Sequence, residues 1–147
     1  MNNSPRATSH NGNSRVRVLT VMPADGDHEI LKGILSRPDW NVNRAENLSS
    51  ALHALSRSQE LPAVVLCDRD TAPGSWKEIL ARLQLMRRPP LLIVASRLAD
   101  EQLWAEALNL GAYDVLAKPF DEAEVHRALS SASMRWLRDG EHIEAAC

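Results

Sequence analysis

Short apolar runs rich in β-branched residues alternate along the chain with longer stretches whose apolar positions recur at helical spacing. VRVLTV over 16–21 predicts a first strand. Ile30, Leu31, Ile34 and Leu35 then mark one face of a helix over about 27–36, stopped by Pro38 and Asp39. WNVNRA over 40–45 is more polar and predicts an edge strand with a solvated side. Asn47 suits the N-cap of a helix carrying Leu48, Leu52 and Leu55, which gives way to polar SRSQELP. AVVLC is apolar throughout, as a strand covered on both faces should be, and Trp76, Ile79, Leu80 and Leu83 mark a helix over about 75–86. LLIVAS predicts another central strand, and a helix over about 100–110 closes at Gly111. YDVLA is the last strand, and a helix from Asp121 carries Val125, Leu129, Ala132 and Trp136. This (βα)5 order predicts an α/β fold, a doubly wound five-stranded parallel sheet in a three-layer sandwich, whose ligands gather at the carboxyl ends of the strands.

The 147 residues are enough for one domain, expected over 15–138, with a disordered Asn/Ser-rich arm over 1–14 and a short tail over 139–147. A net charge of -2 with no basic run gives no footprint for nucleic acid or an anionic membrane, and neither is an expected partner. The first residues hold no apolar block, and no later segment is apolar for long enough to span a bilayer. Cys67 and Cys147 form no disulfide framework and sit at no metal-ligand spacing, which predicts a reduced, cytoplasmic setting. The five histidines form no zinc pattern, and no GxSxG, GxxxxGK or GxGxxG occurs.

At the shared carboxyl edge the predicted strand ends deliver Asp68, Ser96 and Lys118. An aspartate with an ammonium and a hydroxyl converging on it suits an acyl-phosphate. The carboxylate attacks phosphorus, the lysine neutralises the added oxygens and the hydroxyl bonds to the new group.

VVLCD, IVAS and ALNLGAYDVLAKPF, in this order and at these spacings, resemble the response-regulator receiver domains of two-component phosphorelay signalling. The resemblance covers about 15–137. It implies that Asp68 is the phospho-acceptor, Ser96 the switch hydroxyl and Lys118 the phosphate-stabilising lysine, with a cis bond before Pro119. It further implies a histidine kinase, phosphotransfer protein or other signalling protein as partner, and no enzymatic activity beyond phosphoryl transfer to Asp68 itself. The short stretch after the last helix suggests no attached output domain, so signalling would pass through protein contact.

The family's first strand ends in an acidic pair that holds Mg2+, whereas this chain places Met22 and Pro23 there. Mg2+ demands oxygen ligands, so weak or absent binding is expected, through Asp68 and the backbone carbonyl of Asp70, unless Asp25 or Asp27 swings in at the helix entry. Val115 stands where many receivers carry an aromatic switch residue. Trp104 widens the apolar surface of its helix beyond the stripe of about 100° that faces a core. By resemblance, Trp104 and Val115 belong to a fourth-helix, fifth-strand and fifth-helix face through which a homodimer would form. Two alternatives stay open: a degenerate receiver acting as a phosphorylation-independent interaction module, and a flavodoxin-like cofactor-binding protein.

Overall fold

The computed structural model describes the backbone of residues 16–57, 61–70, 72 and 75–146, and side chains up to residue 141. The arm expected over 1–14, the Pro73 and Gly74 break and Cys147 lie outside the described residues. The elements run β1 (Val16–Val21), α1 (Asp25–Ile34), β2 (Trp40–Ala45), α2 (Leu48–Arg57), β3 (Val64–Asp68), α3 (Ser75–Leu83), β4 (Leu91–Ser96), α4 (Glu101–Leu110), β5 (Asp114–Ala117) and α5 (Glu122–Ala146). The five strands form one parallel sheet in the order β2-β1-β3-β4-β5, so the polar WNVNRA segment takes the expected edge.

Alternation along the strands divides the core into two layers. Val65 and Cys67 of β3 join Trp76, Ile79 and Leu83 of α3 and Leu103 and Ala107 of α4 on one face. Val64 and Leu66 join Leu31 of α1 and Val125, Leu129 and Ala132 of α5 on the other. Fully burying one such aliphatic side chain is worth roughly 1.5–3 kcal/mol, and both faces are covered, so β3 and β4 are apolar along nearly their whole length.

Local chemistry sets the boundaries. The Asn47 carboxamide accepts the Ser50 N–H at 2.8 Å, Asp100 accepts from Leu103 at 2.9 Å, and Asp121 accepts from Glu124 at 3.0 Å. Each satisfies a backbone donor that a helix start leaves open. Gly111 ends α4 at φ 116°, a left-handed conformation that costs glycine little. Helix α1 starts two residues before the periodicity predicts, which puts Asp27 in its first turn. Helix α5 runs on to Ala146, through the segment expected as a tail. Arg88 stacks on Trp136 at 3.4 Å and donates to its carbonyl at 3.3 Å, and Gly140 leaves room for that guanidinium beside the helix.

Candidate functional site

The register fixes which strand ends meet. Asp68 closes β3 opposite Ala95, Ser96 closes β4 opposite Ala117, and Lys118 is the next residue after β5. The sheet therefore brings Asp68, Ser96 and Lys118 to one edge, as their strand positions predict. The peptide bond before Pro119 is cis.

Lys118 is the centre of the site. Its ammonium lies 2.5 Å from Asp68 Oδ1, 2.8 Å from Asp27 Oδ2 and 3.0 Å from Asp70 Oδ2. The side chains of Lys118 and Asp68 are almost completely shielded, at 2% and 0% exposure. The Ser96 hydroxyl donates to Asp70 Oδ1 at 2.6 Å and accepts the Leu98 N–H at 3.0 Å. The Arg97 N–H donates to Asp70 Oδ2 at 3.0 Å, and the exposed Arg97 guanidinium lies 3.6 Å from Asp27.

The electrostatics follow from this enclosure. Burial alone would pull the Lys118 ammonium down, but its bonds to Asp27, Asp68 and Asp70 outweigh that and hold it above the ordinary lysine value. Burial pushes the Asp70 carboxyl up, whereas hydrogen bonds from Ser96, Arg97 and Lys118 prevail and hold it below the ordinary carboxylate value. The neighbouring Cys67 thiol is pushed up to about 12, by burial and then by the charge of Asp68, so it stays protonated and is no rival nucleophile.

The end of β1 differs. Met22 is fully buried in the layer beneath α1 and α5. Arg44, from β2, donates to the Met22 carbonyl at 2.8 and 3.0 Å and to the Pro23 carbonyl at 3.2 Å. The backbone oxygens of this strand end thus already hold a cation supplied by the chain.

These residues do not fit a hard divalent cation as they stand. No group of three or more His, Cys, Asp or Glu among the described residues is arranged to hold a metal ion, and an ammonium sits where the carboxylates converge. A buried thioether cannot replace an oxygen ligand.

Asp25 and Val115 fall away from their expected places, and Asp70 adds contacts to its expected role. Asp25 is not among the groups around Lys118: its carboxylate is 90% exposed and pairs with Arg44 at 2.9 Å, because it opens α1 on the solvent side. Asp70 is more than a backbone carbonyl, since its carboxylate bonds to Ser96, Arg97 and Lys118. Val115 is buried in the core with Leu103 and Ala107 of α4 and offers no surface to a partner. Trp104 is 38% exposed, beside the exposed Leu108.

The strand ends alone do not place the Asp70 carboxylate or Arg44 at this edge, and Asp27 enters it from the helix start, as one of the two acids expected there. The available signals were an acid in the first turn of α1, a second acid two residues after Asp68, and an arginine near the end of an edge strand.

The sequence profile of the response regulator receiver domain matches residues 25–130. The chain is 31% identical over 116 residues to the sensory transduction protein LytT of Bacillus subtilis (strain 168), covering 78% of this chain and 46% of that protein. It is 28% identical over 104 residues to the transcriptional regulatory protein LytR of Staphylococcus aureus (strain N315), covering 71% of this chain and 41% of that protein. The chain therefore spans less than half the length of these relatives. A response regulator from Thermotoga maritima shares the fold, with a TM-score of 0.72 and 21% identity over 82% of this chain and 98% of that one. Among the described residues no helix is long and apolar enough to cross a membrane.

Proposed function

The chain belongs to the response regulator receiver domain family, a module of two-component signalling and not a conventional enzyme, and on that premise we propose that Asp68 is its phosphoryl acceptor. The observation that supports this most is the 2.5 Å contact between Asp68 Oδ1 and the Lys118 ammonium at the carboxyl edge of the sheet. The donor is a phosphohistidine of a histidine kinase or phosphotransfer protein. An Asp68 carboxylate oxygen forms the new P–O bond as the donor's P–N bond breaks, and the imidazole leaves with the electron pair. Lys118 neutralises the phosphoryl oxygens and Ser96 donates its hydroxyl to one of them, which ties the loop after β4 to the modified acid. The signal leaves by protein contact, with the α4 surface around Trp104 and Leu108 as a contact face.

Receiver domains typically bind Mg2+. In this chain the acidic pair at the end of β1 is degenerate, with Met22 and Pro23 in its place, and no step above is routed through a metal. That substitution favours a second reading, a receiver that engages partners without being phosphorylated. The experiment that separates the two is incubation with acetyl phosphate, with and without Mg2+, followed by intact mass. Addition of one phosphoryl mass, abolished by Asp68→Asn, is the expected result. No addition under either condition leaves the second reading standing.

A further inference from the structure

Asp70 lies two residues past Asp68, and its carboxylate already holds the groups that a phosphoryl on Asp68 would require. Oδ1 takes the Ser96 hydroxyl at 2.6 Å, while Oδ2 takes the Arg97 N–H at 3.0 Å and lies 3.0 Å from the Lys118 ammonium. That same ammonium contacts Asp68 at 2.5 Å, so the Asp70 carboxylate is an anion standing directly beside the acceptor. Ser96 is fully buried and its oxygen accepts the Leu98 N–H, which ties residues 96–98 to the same carboxylate.

We propose that Asp70 is a built-in stand-in for the phosphoryl group, holding Ser96 and the 97–98 backbone in their engaged arrangement while Asp68 is unmodified. The proposal rests on the roles given above to Asp68, Ser96 and Lys118. A hydroxyl has a single proton to donate, so Ser96 bonds to Asp70 or to a phosphoryl oxygen, not to both. A phosphoryl on Asp68 carries about −1.5 to −2 charge in place of the single charge of the free carboxylate, a net gain of roughly one negative charge beside Asp70, and competes with Asp70 for the same donors. Phosphorylation then exchanges one anion for another at the same donors. The loop after β4 moves little in the native chain. Without the Asp70 carboxylate, the same loop depends on phosphate for its order.

The test is hydrogen–deuterium exchange over residues 96–100 in the full chain, comparing wild type, Asp70→Ala and Asp70→Asn. In the unmodified proteins, exchange at Arg97 and Leu98 is expected to be about 10-fold or more faster in Asp70→Ala, the cost of losing charge-assisted bonds. Asp70→Asn keeps the side-chain volume and replaces Asp70→Ala if the latter does not fold. After acetyl phosphate treatment the variant recovers protection, whereas wild type changes by less than about twofold. Equal exchange in unmodified wild type and variants overturns the proposal, as does an equal gain of protection on phosphorylation. Absence of a phosphoryl adduct by intact mass defeats the acceptor reading instead, and the comparison of unmodified proteins still decides the role of Asp70.

Discussion

Where β3, β4 and β5 end, the chain turns polar at once, and Asp68, Ser96 and Lys118 share one enclosed network with Asp27 and Asp70. Where β1 ends, the chain stays apolar through Met22, passes Pro23, and gives its carbonyls to the Arg44 guanidinium. Both halves belong to one parallel sheet in continuous register, with Val21 opposite both Ala45 and Cys67. Sheet topology therefore fixes where a strand end lies, while its chemistry is set residue by residue. Asp27 on α1 supplies a carboxylate to this edge, and the positive charge at the centre comes from Lys118.

The most severe way to break this contrast is Lys118→Ala, which leaves shielded carboxylates facing each other without their cation. A loss of about 3–5 kcal/mol is expected, read from urea unfolding. Restoring balance with Asp27→Asn in the same chain should recover part of it, because one of the opposing charges is gone. On the other half, Arg44→Ala removes a largely buried guanidinium from two backbone carbonyls, and about 1.5–3 kcal/mol should be lost by the same measurement.

The mildest probe is pH. Asp70 is held below the ordinary carboxylate value, so its contribution is present above the unfolded value of about 3.9 and disappears as pH falls through its lower folded value. Wild type and Asp70→Asn should therefore differ in stability by a constant amount from pH 7 down to about 5, and the gap should close below about pH 4. Lys118 is raised instead, so its contribution is complete below about pH 10 and is lost only as pH rises through the higher folded value. Acid unfolding curves of the two proteins check the first statement, and a flat gap across the acid range contradicts it.

The strand ends and the order of elements were legible because alternation and turn residues mark them locally, and Asp68, Ser96 and Lys118 inherit their places from those ends. Asp27 was legible only as one of two acids at the start of α1, since the choice between it and Asp25 depends on where that helix begins, a boundary with no side-chain cap to announce it. Asp70 was legible only through its backbone carbonyl, because its carboxylate contacts residues far along the chain, Ser96 and Lys118. Val115 looked like a surface position by resemblance, yet its place on a short strand beneath α4 buries it. The length of α5 was hidden by its polar outer half, where Arg88 packs on Trp136 from another part of the chain.

The asymmetry of the edge is tested most directly by titrating Mg2+ into wild type and into Pro23→Asp, each followed by calorimetry. One added carboxylate at about 4 Å from a unit positive charge brings roughly 4 kcal/mol of attraction at an effective dielectric near 20, before desolvation is subtracted. Pro23→Asp should bind Mg2+ at least about 10-fold more tightly than wild type, even after most of that attraction is lost to desolvation. Equal or tighter binding by wild type would contradict the account, because it would mean that the half of the edge formed by Met22, Pro23 and Arg44 lacks nothing the metal requires.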